Sequence, residues 1–266
     1  MDFVEPLVYP LKDIKKLVLG GLMILPGMFL LLIPLIMESG YIIRVAGDTI
    51  RGKNDLPEFD RWWALFIKGL GSVLIDIVYL LMVIVLFLPA ILCFVIGGGS
   101  YNTAIMVFSI IFLIIMIVPA IVLAIMELIA YAKYGEKENI VAAFKFNEIY
   151  RNLRTNMRNY IIGTLIFFGL FICFYILVSI LELILMLFLF GGILGIIFGI
   201  MLIFPIIGVM VFYFSLFTMR MYAQIYKESK GKLGESTLQP EPIFIVPTGH
   251  QGKNNLGNRD EWEELK

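Results

Sequence analysis

The sequence predicts an all-α integral membrane protein: a bundle of four full transmembrane helices, an N-terminal hydrophobic hairpin or fifth span, and amphipathic connectors at the membrane interface. Three observations support this fold class. Of the 266 residues, 60 % are hydrophobic and 16 % charged, whereas soluble domains average about 45–50 % apolar and about 25 % charged. The charged residues leave three long uncharged or nearly uncharged stretches, and glycine turns divide the two longest. A mean hydropathy of +0.93 requires the bilayer as a second solvent.

The same composition excludes several function classes. Soluble enzymes do not carry this apolar excess, and two cysteines are too few for a disulfide-stapled secreted scaffold. The 21 basic residues are balanced by 21 acidic ones, which argues against a nucleic-acid binder.

The first apolar stretch, residues 17–37, is interrupted in the middle by Pro26-Gly27. The nine residues before Pro26 reach about 14 Å, half of the hydrocarbon thickness. A re-entrant hairpin would keep the N-terminal lysines in the cytoplasm, as the positive-inside tendency favours; an ordinary fifth span would place them outside. No cleavable signal is expected, because Asp2, Glu5 and Pro6 precede the apolar run and no Ala-x-Ala site follows it. The lysines concerned are Lys12, Lys15 and Lys16.

The second and third stretches are each long enough for two crossings, and each contains one acid, Asp76 or Glu182. Glycines at 97–99 and 191–192 allow the chain to turn near their centres. The predicted spans are residues 70–96, 104–129, 160–189 and 193–218.

Orientation follows from the lysine and arginine count. The segment 38–69 contains five basic residues, the segment 131–159 six and the end of the chain seven, while the two glycine turns contain none. We therefore expect a single helical membrane domain over 1–227, with its charged segments cytoplasmic, in the cell membrane. Residues 228–266 are polar, include the only histidine, His250, and are predicted to form a disordered cytoplasmic tail.

A parallel internal repeat, with units near 40–130 and 130–222, is one interpretation of the chain. Similar pairs, Gly40-Tyr41, Ala130-Tyr131 and Met221-Tyr222, follow apolar helices about 90 residues apart. The other interpretation is that any hydrophobic hairpins with amphipathic linkers look alike.

The connector 139–160 has apolar residues at helical spacing and basic residues on its other faces. Such a helix lies in the membrane interface with its cations near anionic lipid, or packs on the bundle as a solvated helix. The candidate lipid contacts are Lys145, Arg151, Arg154 and Arg158.

The spans contain no histidine, so a zinc site or a Ser/His or Cys/His pair is not expected there. Cys93 and Cys173 are predicted to be apolar packing residues. Glu182 and Asp76 are the candidate proton or ion path, because ionisable groups inside a membrane are costly. Their depths differ by more than about 10 Å, and the alternative is that Asp76 is hydrated and Glu182 is protonated or hydrogen-bonded to a neighbouring helix. No cofactor or metal is expected.

Gly191, Gly195 and Gly199 recur every fourth residue at the start of the last span. This stripe of small residues predicts close helix packing, either within the bundle or in a homo-oligomer.

The first connector carries a distinctive motif: Gly40-Tyr41-Ile42-Ile43-Arg44, then Asp48-Thr49-Ile50-Arg51-Gly52, then Asp55 to Asp60, followed by Trp62 and Gly69. This motif resembles the membrane-protein family catalogued as domain of unknown function 4013, which is found mainly in archaea. The similar span layout covers roughly residues 1–230. The resemblance implies a multi-pass membrane protein and supplies no activity and no catalytic residues.

The sequence therefore predicts a non-enzymatic multi-pass protein that acts through interface contacts with lipid, a second copy or a membrane protein partner. The alternative is a small transporter or permease subunit that uses Glu182 and Asp76.

Overall fold

The computed structural model describes residues 2–29, 32–99 and 102–238, and these residues form helices and no strand. Three short 3-10 turns, Tyr9–Lys12, Ile140–Phe144 and Leu189–Gly191, lie between the α-helices. The α-helices are α1 (Glu5–Val8), α2 (Ile14–Phe29), α3 (Ile33–Ile50), α4 (Trp62–Gly99), α5 (Thr103–Lys137), α6 (Phe146–Thr155), α7 (Met157–Phe188) and α8 (Gly192–Leu238).

Four helices, α4, α5, α7 and α8, are long and apolar enough to cross a membrane. This confirms the predicted fold class of four spans. The helices run well beyond the predicted spans: α4 has 38 residues and α8 has 47, whereas about 20 suffice to cross. The parts of these helices that lie beyond the predicted spans carry charged residues. Together with residues 51–61 and residues 138–156, these parts form one end of the bundle, which we call the charged end.

The N-terminal apolar stretch forms two helices, but the break is not at Pro26-Gly27, which lie inside α2. α2 ends at Phe29 and α3 begins at Ile33, and Leu32 directly before α3 has a left-handed backbone with φ of 64°. The start of α2 and the segment after α3 lie together, because Lys16 Nζ donates to Leu56 O at 2.9 Å. The chain therefore goes out along α2 and returns along α3. The course of this pair in the membrane stays a prediction.

Glycines allow α3 to approach two other helices at backbone distance. A Cβ on Gly40 would overlap the carbonyl oxygen of Leu65 in α4, and one on Gly69 would overlap that of Ile36. Gly47 of α3 approaches α5 equally closely, because a Cβ on Gly47 would overlap the carbonyl oxygen of Gly135. The motif glycines Gly40 and Gly69 are thus the crossing point of α3 and α4.

The buried core lies at the charged end. Its centre consists of fully buried side chains such as Ile129, Tyr160, Phe217 and Tyr222, contributed by α5, α7 and α8. Towards the glycine turns, apolar side chains are instead exposed, such as Val85 at 68 % and Phe198 at 73 %. The apolar halves of the long helices therefore present their side chains to lipid, and the charged end forms the compact body.

The connector 139–160 is not one continuous helix. It consists of the 3-10 turn Ile140–Phe144, the ten-residue α6 and the first turn of α7. Its apolar residues Ile149, Leu153 and Tyr160 are buried in the core. Of the two interpretations of this connector, the structure therefore matches a helix packed on the bundle, since the apolar stripe is covered by protein.

The polar tail begins later than residue 228, because α8 continues to Leu238. Its last turns are held by side chains: Ser229 is fully buried and donates to the carbonyl oxygen of Asn152 at 2.6 Å, and Lys232 Nζ donates to Asn156 Oδ1 at 2.7 Å. The rest of the tail, with His250, lies outside the described residues.

Two contacts recur along the chain at the spacing of the proposed repeat. Gly71, at the start of α4, lies against the hydroxyl of Tyr134 in α5. Gly163, at the start of α7, lies against Ile225 in α8, 2.8 Å from a Cβ placed on the glycine. The second glycine and its partner each lie about 91 positions after the first glycine and its partner, close to the spacing of the repeat. The internal repeat stays a prediction, and this pair of contacts agrees with it.

Candidate interface site at the charged end

The motif residues of the first connector fold it back onto α3. The hydroxyl of Tyr41 donates to the carbonyl oxygen of Pro57 at 2.8 Å, and its ring stacks on Phe59 with centroids 4.1 Å apart. Arg44 donates to the carbonyl oxygen of Glu58 at 3.0 Å and pairs with Asp60. The motif therefore encodes a fixed connector on the surface of the bundle.

The N-terminal lysines hold the same connector from the other side. Lys12 Nζ donates to the carbonyl oxygen of Asn54 at 3.1 Å. Lys16 Nζ lies 2.6 Å from a carboxylate oxygen of Glu58. These lysines therefore have partners within the charged end.

Arg220 of α8 is the centre of the buried polar network. Its guanidinium uses all five N–H donors: two on the carboxylate of Glu5, two on Thr49 Oγ1 and Asn54 Oδ1, and one on the carbonyl oxygen of Lys53, at 2.8–3.1 Å. The guanidinium also lies 4.4 Å from the ring centroid of Tyr9. One side chain thus joins α8 to the N-terminus, α3 and the connector.

Glu5 is the anionic partner of this network. Burial raises the pKa of Glu5, but the hydrogen bonds and charge of Arg220 outweigh it and hold the pKa below its ordinary value. Gln224 Nε2 also donates to this carboxylate at 2.6 Å. Glu5 therefore remains ionised in the folded protein, and the pair is bidentate, a strong form of ion pair.

A pocket of about 200 Å³ opens between α3, the connector, α4 and Glu138. We call it the connector pocket. It contains two carboxylates: Asp48, 3.0 Å from Lys53 Nζ, and Glu138, 3.0 Å from Lys68 Nζ. The hydrogen bond and charge of Lys68 lower the pKa of Glu138. The five cations that line the pocket are Arg44, Arg51, Lys53, Arg61 and Lys68.

A second groove, of about 350 Å³, lies between the end of α5, α6 and the end of α8. Lys133 and Glu148 pair across it at 2.6 Å, and Lys230 pairs with Glu136. Of the predicted lipid contacts, Arg151 lines this groove. The structure leaves all four of them exposed on the outside of the charged end: Lys145, Arg151, Arg154 and Arg158.

The two intramembrane acids are not placed against each other. Glu182 is exposed on α7, whereas Asp76 is half-buried on α4 within electrostatic range of Glu127 on α5. Glu127 accepts a hydrogen bond from the hydroxyl of Tyr131 at 3.5 Å. The neighbour of Asp76 is therefore a second acid on α5, Glu127, which was not among the candidate residues predicted from the sequence.

The glycine stripe divides between a turn and a helix contact. Gly195 and Gly199 face α7, where a Cβ on Gly199 would lie 2.8 Å from Leu185 Cδ1. Gly191 lies in the 3-10 turn before α8, and no heavy atom lies within 4 Å of its Cβ position. Only two of the three glycines therefore pack α8 against α7.

Reactive groups are few in the part of the chain that the structure describes. Cys93 and Cys173 are free cysteines within α4 and α7. Across residues 2–29, 32–99 and 102–238, no three His, Cys, Asp or Glu residues form a group suited to a metal ion.

Arg220 was not predicted as a site residue from the sequence, because it was counted only among the seven basic residues at the end of the chain. The available signal was its setting: the residues around it, Met219, Met221, Tyr222 and Ala223, are apolar, and an arginine inside an apolar run needs partners. Glu5 carried no comparable signal, because it lies 215 residues away.

Residues 22–183 match a family model whose description is protein of unknown function (DUF4013). This range is shorter than the expected 1–230, but it contains the whole connector motif, Gly40 to Gly69. No curated protein and no solved structure matches the chain. The matched range covers more than half of the chain and contains the motif that holds the connector against α3. The protein therefore belongs to the DUF4013 family.

Proposed function

We propose that this protein is a non-enzymatic, multi-pass protein of the cell membrane that acts through contacts of its charged end with lipid head groups or a protein partner. The charged end and the C-terminal tail are proposed to lie in the cytoplasm, since all three segments rich in lysine and arginine belong to them. This proposal names a mode of action, contact at the interface, and no chemical step.

The observation that carries the proposal is the construction of α6. One face of this helix, with Ile149 and Leu153, is buried in the core. The other presents Arg151 and Arg154 to the outside. Such a helix holds its cations at a fixed position beside the membrane surface, where each is worth on the order of 1 kcal/mol towards anionic lipid.

The non-enzymatic part of the proposal rests on the residues available. Histidine, the commonest general acid or base, occurs once, at position 250 in the polar tail. The charged residues of the body instead engage one another, as in the network around Arg220.

Transport through Glu182 and Asp76 has less support. The exposed position of Glu182 on α7 gives it no common path with Asp76, whose neighbour is Glu127. A proton or cation path needs groups within reach of one another along the membrane normal.

The proposed contact surface on α6 and the start of α7 is tested with the triple variant Arg151→Gln, Arg154→Gln and Arg158→Gln. We call this the α6 experiment. Purified in mild detergent from the native membrane, this variant is expected to retain several-fold less anionic lipid, or less of a crosslinked partner, than the unaltered protein. Mass spectrometry of the copurified lipids and proteins measures both.

The matched control also removes three cations, Lys253, Arg259 and Lys266, from the polar tail. If α6 forms the contact surface, this control retains lipid and partner at the level of the unaltered protein. Equal retention by the α6 variant at low salt, or an equal loss in the control, would contradict the proposal.

A further inference from the structure

We infer that the connector pocket binds the phosphodiester head group of an anionic phospholipid. This inference rests on the proposed function, because it takes lipid as the partner of the charged end and assigns it a defined site. The site is separate from α6: its cations come from α3, the connector and the start of α4.

Charge is the first argument. Five cations and two carboxylates line the pocket, so positive charge exceeds negative by three. Asp60, which pairs with Arg44 and lies 3.9 Å from Arg61, reduces the excess to two when it is counted with the lining. A monoanionic phosphodiester therefore enters a pocket that remains cationic, and arginine suits phosphate geometry well.

The pocket's own ion pairs leave cations free to turn towards a ligand. Lys53 and Arg61 have side chains that are 63 % and 81 % exposed, although each has an acidic neighbour. The Arg61–Asp60 pair is exposed on both sides and contributes little to stability. The buried carboxylate of Asp48 keeps Arg51 as a second partner, at 3.5 Å, when Lys53 turns away. These two cations can therefore contact a phosphate without disturbing the fold, whereas Arg51 and Lys68 hold Glu138 in the wall.

Depth is the second argument. The pocket is lined by Ala64, Leu65 and Lys68 of α4, and the predicted hydrocarbon span of this helix starts at residue 70. At about 1.5 Å per residue, these positions lie roughly 3–9 Å outside the hydrocarbon. Each head-group layer is about 5–8 Å thick. The α4 wall of the pocket, including Lys68, therefore lies at the depth of lipid phosphates.

The tryptophans beside the pocket give the third argument. Trp62 and Trp63 begin α4 and are 46 % and 73 % exposed. Paired exposed tryptophans are typical of the membrane–water interface, where their rings lie at head-group level. They place the mouth of the pocket against the bilayer, so that a lipid can fill it without leaving the membrane.

Tryptophan fluorescence provides the test. The chain has three tryptophans, so the Trp262→Phe background leaves only Trp62 and Trp63 as reporters. This full-length protein is placed in bilayer nanodiscs of phosphatidylcholine that contain brominated phosphatidylglycerol or, at equal mole fraction, brominated phosphatidylcholine. Bromine quenches tryptophan at short range. We expect stronger quenching by the anionic lipid than by the zwitterionic one.

The double variant Lys53→Gln, Arg61→Gln in this background is expected to lower the relative affinity for phosphatidylglycerol about thirtyfold. The charge-matched control, Lys253→Gln with Arg259→Gln in the polar tail, is expected to keep the excess quenching. Equal quenching by the two lipids, an excess that survives in the pocket variant, or an excess that is lost in the tail control would overturn the inference.

Inorganic phosphate distinguishes a lipid from a soluble anion. Added at constant ionic strength, it is expected to leave the excess quenching unchanged, because a bilayer lipid is present at high local concentration. Loss of the excess would mean that the pocket takes free phosphate, and would overturn the assignment to lipid. Because the α6 experiment uses other residues, failure of the proposed function and failure of this site are distinguishable.

Discussion

Replacing Arg220 by methionine is expected to release the N-terminal segment, residues 2–12, from the charged end. The guanidinium is 4 % exposed and donates to five acceptors. Methionine is apolar and of similar length, so it keeps much of the packing and removes every one of these bonds. Glu5 is then left as a partly buried carboxylate without its main partner.

The expected cost is about 3 kcal/mol. Removing one partner of a buried ion pair costs about 3–5 kcal/mol, and the lower end applies because the side chain of Glu5 is 26 % exposed and Lys12 remains 3.3 Å from it. At about 1.4 kcal/mol per factor of ten, the local opening of this segment becomes about a hundredfold more frequent. Hydrogen exchange read by mass spectrometry measures this opening.

Two further variants separate the causes. Arg220→Met combined with Glu5→Met leaves no unpaired charge and is expected to recover part of the protection, because apolar replacement of both partners is tolerated better than removal of one. Lys227→Met removes an exposed cation from the same helix and is expected to change the stability by less than about 0.5 kcal/mol.

Unchanged exchange of residues 2–12 and 49–56 in the Arg220→Met protein would refute this reasoning. It would show that these segments are held by their apolar contacts alone. Release of the segment in the Lys227→Met protein would refute it as well, since the effect would then belong to net charge.

Three other outcomes are expected. Gly69→Ala should destabilise the protein by about 1–3 kcal/mol, because the new methyl group would overlap the carbonyl oxygen of Ile36; Gly231→Ala, where no atom lies within 4 Å, should be neutral or stabilising in a denaturation assay. Burial raises the pKa of the Glu38 carboxyl from 4.5 to about 7. As the pH rises, this carboxyl therefore loses its proton at a lower pH in the unfolded chain than in the folded protein. Stability should therefore fall by about 3 kcal/mol as the pH rises from 4.5 to 7, and a Glu38→Gln protein whose stability showed the same pH dependence would contradict this assignment. An N-terminal tag should stay protected from protease added outside intact cells, and its cleavage there would contradict the re-entrant hairpin.

The spans could be predicted from the sequence because the bilayer imposes one simple requirement. Charges must leave the hydrocarbon, so their spacing marks four crossings without knowledge of any contact. The helix ends could not be predicted in this way. Residues 62–69 and 219–234 are as helical as the spans, because protein contacts at the charged end hold them, as Ser229 shows by its bond to Asn152.

The break after α2 shows a different limit. Pro26-Gly27 predicted a turn, but proline is tolerated inside a lipid-embedded or packed helix, and the chain breaks at Leu32 instead. The candidate site was predicted in the same uneven way. The cations of α6 are exposed as expected, whereas the connector pocket depends on Glu138 joining residues from another helix hairpin, a contact that spacing along the chain does not reveal.

The bond between Glu5 and Arg220 also sets an order for the synthesis of the protein. The two residues are 215 positions apart, and a ribosome adds about 5–20 residues per second. Glu5 therefore waits about 10–40 s for its partner, and α2 waits equally long for Phe212, the residue of α8 that fits against Gly20. α2 thus precedes α4, α5 and α7 in the chain but completes its packing only after α8 has been made. Until α8 has been inserted, the face of α2 that carries Gly20 and Gly21 lacks its partner residues, Phe212 and Val209.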